Sequence, residues 1–237
     1  MKNLPLKKAG CHKTFRILFL LLFLLLLMPM RSQASQSKDV QKILKYYKNG
    51  KYATANRIAK KYENKTANEK KYRNKLSKKA KKAYKKVLKS YRLYDTARSG
   101  KYLWDYFVKD LDGKGQPELC IYYGSCEADV RLRVYRYSSG KARFVTEQAC
   151  SHGCWSDIPG KRGVIYSYSH MGDQMVSVVT LKGNKLVFKN YGSSSYSNNM
   201  NNYVSFPFKF KNHITYKEVS KSGKYRSVGV LSYSGVK

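Results

Sequence analysis

Residues 110–119 read Asp110-Leu111-Asp112-Gly113-Lys114-Gly115-Gln116-Pro117-Glu118-Leu119. Calcium wants several hard oxygens, offered at alternate positions around a tight turn. Asp110 and Asp112 hold the first and third positions of such a loop, Gly115 the sixth, where the chain must turn sharply, and the carbonyl of Gln116 the seventh. Glu118 stands ninth. Lys114 occupies the fifth position, where an Asp or Asn oxygen is expected; it removes one ligand and adds a positive charge. The remaining carboxylates would support a weak calcium site. The alternative is a turn without metal, since Asp-Gly and Gly-x-Pro close tightly unaided. In that case Asp112 caps the turn and Glu118 pairs with a lysine, and the lost ligand favours this reading.

The cysteines offer a second chemistry. Cys120, Cys126, Cys150 and Cys154 follow the basic region, while Cys11 precedes the first apolar run. An even set in an exported chain predicts two disulfides, with the connectivity open. A zinc site using His152, within Cys150-Ser151-His152-Gly153-Cys154, is the alternative, although the gaps between cysteines suit it poorly. Free thiols are the third reading.

Support for catalysis is thin. His152, His170 and His213 are ordinary surface or structural histidines by type. No nucleophile elbow, zinc-protease helix or phosphate loop is present. Asp105, Asp157 and Asp173 have no spacing that pairs them as a glycosidase needs. Trp104, Trp155 and the tyrosines could stack on sugars or bases, but tyrosine on a strand more commonly packs the sheet.

The elements that must carry these residues fall into three stretches. Residues 1–34 read as a signal peptide: Lys2, Lys7, Lys8, Lys13 and Arg16 precede an apolar run from Ile17 to Met28, and Ser32-Gln33-Ala34 puts small residues at the cleavage site. The run is short for a membrane span, so no transmembrane anchor is expected after cleavage. Residues 35–98 have a helical period, with Val40, Ile43, Leu44 and Tyr47 on one helix, stopped by Asn49-Gly50. Tyr52, Ala55, Ile58, Ala59 and Tyr62 mark a second helix, and Tyr72 through Tyr91 a longer third. The first two look like a generic helical hairpin. Beyond Tyr102 the period becomes two. Val130–Tyr137 and Ala142–Val145 form one hairpin across Ser138-Ser139-Gly140-Lys141, and Met175–Leu181 with Lys185–Lys189 form another. Val134 and Val178, Lys141 and Lys185, and Phe144 and Phe188 align at an offset of 44 residues. Phe206–Lys211 and Ile214–Val219 suggest a third hairpin, and 192–202 a mobile loop. The fold expected is α+β: a basic helical hairpin or bundle over 35–98, then an antiparallel β-meander over 101–237, as a sandwich or partial propeller.

The loop at 110–119 resembles the short calcium loop of FG-GAP-type extracellular propeller repeats. More closely it is similar to a DxDGxGxPEL signature of uncharacterised secreted or surface proteins of Firmicutes. In these a helical part rich in Tyr and Lys precedes the loop, and a vYxY-turn-GK strand follows it, here Val134-Tyr135-Arg136-Tyr137-Ser138-Ser139-Gly140-Lys141. The resemblance covers about residues 84–190 and implies a secreted or cell-surface location. Lys114 departs from the pattern at the ligand position described above.

Charge points to the partner. The chain carries 48 Lys and Arg against 14 Asp and Glu, a formal net charge of +34, and hydrophobic residues make up 42%, enough for a folded core. This composition excludes a polytopic membrane protein, a collagen and an acidic solvating chain. Lys78, Lys79, Lys81, Lys82, Lys85 and Lys86 form a one-sign face with no acidic neighbour in sequence. Such a face attracts polyanions. With Arg scarce in this stretch, the attraction is nonspecific and salt-sensitive. The expectation is an exported, noncatalytic binding protein for anionic cell-wall polymer, such as teichoic acid, or another polyanion. A secreted hydrolase of wall polymer and a nonspecific nucleic-acid binder are the alternatives.

Overall fold

The computed structural model describes residues 36–62, 76–91, 102–210 and 214. The signal-peptide segment, His213 and most of the third expected hairpin lie outside these residues. Among the described residues no helix is long and apolar enough to cross a membrane.

Two four-stranded antiparallel sheets form the body, each a simple meander. The first runs β1 (Tyr102–Lys109), β2 (Glu118–Gly124), β3 (Arg131–Ser138) and β4 (Lys141–Ala149). The second runs β5 (Gly153–Asp157), β6 (Val164–His170), β7 (Asp173–Lys182) and β8 (Lys185–Ser195). The fold is thus α+β with antiparallel meanders. The expected hairpins are β3–β4 and β7–β8, and Lys141 and Lys185 each open the last strand of their sheet. Ser139 and Gly140 both have positive φ, 49° and 79°, as a tight two-residue hairpin turn requires.

Strand alternation sorts the side chains into layers. Phe107, Cys120, Tyr122, Leu132 and Val134 of the first sheet meet Trp155, Val164, Tyr166, Val179 and Leu181 of the second in a central core. The sheets therefore stack face to face, as in a sandwich. Their outer faces are apolar too, and helices cover both.

The first helix, α1, spans 36–48 and buries Val40, Ile43, Leu44 and Tyr47. Gly50, at φ 70°, turns the chain into α2 (Tyr52–Ala59), which buries Ala55 and Ala59. Both pack on Ile165 and Val176 of the second sheet, on Ile158 just past β5, and on Val204 and Phe208 beyond the sheet. The third helix, α3, spans Lys78–Ser90; the hydroxyl of Ser77 accepts from the Ala80 N–H and caps it. Ala80, Tyr84 and Leu88, four apart, are buried, and Tyr84 and Leu88 pack with Leu103, Tyr106, Leu119 and Ile121 on the outer face of the first sheet. The hairpin expectation holds for α1 and α2. The bundle does not: α3 packs on a different sheet, and its apolar stripe finds strands rather than helices. It also starts later than the spacing predicts, because Ser77 caps it there; Tyr72 lies outside the described residues.

One further expectation needs correction. Residues 192–202 are not simply a loop. Strand β8 continues to Ser195, and Met200–Asn202 forms a short 3-10 turn. Side-chain amides hold this stretch: Asn202 Nδ2 donates to the Ser195 carbonyl at 2.9 Å, and Asn56 Nδ2 to the carbonyls of Asn201 and Tyr203 at 3.1 and 2.7 Å. Residues 206–210 are the described part of the third expected hairpin, most of which lies outside the described residues. They run beside β5, where Asp157 N donates to Phe208 O at 2.8 Å, and Phe210 stacks on Phe107 at 4.2 Å.

Candidate functional site

The loop between β1 and β2 brings Asp110 and Asp112 together with Glu118 at the start of β2, with one carboxylate oxygen of each within 4.8 Å of the others. Gln116, whose carbonyl is the expected seventh ligand, lies on the same loop, and its side-chain Nε2 is buried with no hydrogen-bond partner among the described residues. Local turn geometry consumes most of the oxygens. Asp110 Oδ1 accepts from Gly113 N at 2.7 Å and Oδ2 from Gly115 N at 2.9 Å. Asp112 Oδ1 accepts from Lys114 N, and Glu118 Oε2 from Leu111 N, both at 2.9 Å. The two remaining oxygens face Arg136, which donates from Nη2 to Asp112 Oδ2 at 2.9 Å and from Nε to Glu118 Oε1 at 3.2 Å. Lys114 Nζ lies 3.5 Å from the same Asp112 oxygen.

These residues fit an internal cation better than calcium. Each carboxylate oxygen already has a donor, and a guanidinium bridges two of the three acids. Arg136 is the charged member of the vYxY strand, so both halves of the sequence signature meet here. Burial raises Glu118 from the usual carboxylate value of 4.5 to about 7, against the lowering effect of Leu111 N–H and Arg136.

Helix α3 positions this loop. The buried Tyr84 hydroxyl donates to Pro117 O at 2.8 Å and accepts from Tyr137 N at 2.9 Å, so one phenol ties the helix to the loop and to the strand that carries Arg136. Lys78, Lys79, Lys82 and Lys86 are exposed on the far side of the helix. Lys81 and Lys85 are half-buried at its flanks, each with a contact of its own.

The equivalent loop of the second sheet supplies what the residue pattern did not reveal. Asp157-Ile158-Pro159-Gly160-Lys161 repeats Asp110-Leu111-Asp112-Gly113-Lys114 at an offset of 47 residues. That echo was the available signal. The first loop packs on the second sheet: Gly163 N of the second loop donates to Asp110 O and Leu181 N of β7 to Leu111 O, both at 3.0 Å. Lys109 and Asp157 form an ion pair at 2.5 Å with exposures of 1% and 0%, and Lys109 Nζ also donates to Ile158 O at 3.1 Å. Asp157 is thereby committed to structure.

All four described cysteines are free thiols, so the expected disulfides are not present. Cys120 and Cys150 behave as small core residues between the sheets, and Cys126 is exposed beside a short 3-10 turn. Burial raises the thiols of Cys150 and Cys154 to about 12 and about 11, and Cys120 well above the usual value. His152 faces Glu127 at 3.6 Å and stacks on His170 at 4.0 Å rather than joining cysteines in a zinc site. Trp155 is buried in the core and offers no stacking platform for sugars. No family model, curated protein or solved structure matches this chain.

Proposed function

We propose that this chain is an exported, noncatalytic protein that associates electrostatically with anionic cell-surface polymer, with wall teichoic acid as the leading ligand. One observation carries the reading. The apolar stripe of α3 is spent on the first sheet, which turns Lys78, Lys79, Lys82 and Lys86 outward together on a helix whose first turn has no acidic residue. Same-sign charge on one face repels itself, and a polyanion relieves that repulsion while releasing its counterions. The resemblance of the 110–119 loop to secreted Firmicutes proteins agrees with this location.

The test is retention of the chain on isolated Gram-positive walls across a salt series, beside the variant K78Q/K79Q/K82Q/K86Q. The substitutions are confined to exposed positions and leave both cores covered. Binding that salt releases and the variant lacks supports the proposal. Equal retention of both proteins removes α3 from the interface. Retention of neither, with duplex DNA bound by the parent chain, moves the nucleic-acid reading ahead.

A further inference from the structure

Arginine is rare in the helices but pairs up on the outer face of the first sheet. Arg131 and Arg133 sit two apart on β3, so their side chains share a face, while Leu132 and Val134 point into the central core. Glu147 on β4 lies directly opposite Arg133, and Tyr123 on β2 opposite Arg131. The carboxylate of Glu147 is divided between the two arginines: Arg131 Nε donates to Oε1 and Arg133 Nε to Oε2. Tyr123 OH adds a third bond, to Oε2 at 3.1 Å. Partial burial alone would raise Glu147, but the bonds from Arg133, Arg131 and Tyr123 hold it below the usual carboxylate range.

Aromatic rings brace the pair. The Arg133 guanidinium lies 4.3 Å above the Tyr123 ring, and its Nη1 donates to Tyr91 OH at 3.1 Å. Tyr91 and Tyr135 exchange a hydroxyl bond at 2.8 Å, and Tyr91 meets the Tyr123 ring edge-on at 5.6 Å. Tyr91 is the residue that ends α3, so this cluster adjoins the last turn of the lysine helix.

An arginine that serves only a carboxylate commonly uses its fork, two parallel N–H bonds to two oxygens. Here each arginine spends Nε instead. Among the described residues, Arg131 bonds Glu147 from Nε and leaves its two Nη nitrogens for further oxygens, whereas Arg133 is also engaged by the Tyr91 and Tyr135 hydroxyls; the side chains are 40% and 34% exposed. Two positive groups held by one negative group leave a net positive charge, with the rings of Tyr91, Tyr123 and Tyr135 fixing Arg133 and the Nη groups of Arg131 left for an added oxyanion.

We propose that Arg131 and Arg133, braced by Glu147, Tyr91 and Tyr123, form a binding site for a tetrahedral oxyanion, a phosphate or sulfate group. This rests on the polyanion reading in one respect: the site would grip single charged groups of a polymer that the α3 lysines attract at longer range. It differs in chemistry, because lysine supplies point charge whereas the guanidinium edges demand oxygens placed to receive them.

The probes are inorganic phosphate, inorganic sulfate and chloride, titrated into the full chain at constant ionic strength while the Nε–H resonances of its arginines are followed by NMR. Phosphate or sulfate should shift Arg131 and Arg133 saturably, and the arm that saturates earlier identifies the group preferred. Chloride should leave them near their starting positions. The variant R131K/R133K keeps the charge and removes the fork, and stabilisation of the chain by the oxyanion, read as a melting-temperature rise, should need about tenfold more ligand in it. The variant K78Q/K79Q/K82Q/K86Q should keep the saturable shift even if it loses the wall. Shifts that are linear, or equal for all arginines, overturn the proposal. So does an R131K/R133K variant that responds like the parent. Neither result bears on whether the lysine face holds the wall.

Discussion

Replacing Arg136 with methionine keeps an unbranched apolar stem and removes the guanidinium that bridges Asp112 and Glu118. Both acids are nearly shut off from solvent, at 5% and 0% exposure, whereas Arg136 is 25% exposed. Removing one partner of a buried pair costs about 3–5 kcal/mol. The partial exposure of Arg136 and the readiness of Glu118 to take a proton reduce this to about 2–4 kcal/mol at pH 8, and to less near pH 5. The variant also leaves three clustered carboxylates with only the exposed Lys114 as an ion-pair partner among the described residues. If they then accept calcium with the millimolar to sub-millimolar affinity of extracellular sites, about 10 mM calcium restores roughly 1–3 kcal/mol. For a chain of this size that is a melting-temperature gain of about 3–10 °C. The assay is thermal unfolding of parent and R136M at both pH values, with and without calcium. A parent that gains as much from calcium as the variant would show that Arg136 does not occupy the ion's role. A variant as stable as the parent at pH 8 would refute the charge-balance argument itself.

Glu118 should make stability depend on pH. Its folded value, about 7, is raised above the usual 4.5, so its stabilising contribution is complete below that ordinary value and is lost as pH rises through 7. The loss is at most about 3 kcal/mol, and in denaturant titrations E118Q should flatten this slope between pH 5 and 8. For the inter-sheet ion pair, K109M or D157N alone should cost about 3–5 kcal/mol, while K109M/D157L should be far milder because neither charge is left buried alone. Equal losses in single and double variants, measured by urea unfolding, would mean that packing rather than charge dominates there. A thiol reagent should label Cys126 in the native chain and reach Cys120 and Cys150 only on unfolding, since those two are buried. Finding no free thiol after denaturation would reinstate the disulfides.

Legibility in the sequence followed burial. Strands β3 and β7 alternate because one face was easy to tell from the other, and Gly140 and Gly183 mark their turns. Strand β2 was not legible as a strand of that kind, since every residue of Glu118–Gly124 is buried. It lies between the second sheet and α3, and a strand covered on both sides loses its alternation. The helix faces were readable from Val40, Ile43, Leu44 and Tyr47, but the sheet each would cover depends on contacts across most of the chain. The acidic loop was legible from Asp110, Asp112 and Glu118 around the glycine turn. Its cation was not, because Arg136 sits in an alternating strand where a charged residue normally faces water. The cysteines misled because compartment was weighed above burial: Cys120 and Cys150 lie where an apolar residue of that size belongs.

The docking of α1 and α2 on the second sheet fixes an order of events. Tyr47 OH reaches Gln174 O at 2.9 Å and the Ser194 hydroxyl at 3.2 Å, groups 127 and 147 residues further along. Until β6, β7 and the 204–208 segment exist, the stripe formed by Val40, Ile43 and Leu44 has nothing to cover. Closing so long a loop is slow, and an uncovered apolar stripe invites association with other unfinished chains. The lysines around it give every such chain the same strong charge. Their mutual repulsion acts before any ligand is met, keeping immature molecules apart during the interval in which the fold leaves them most exposed.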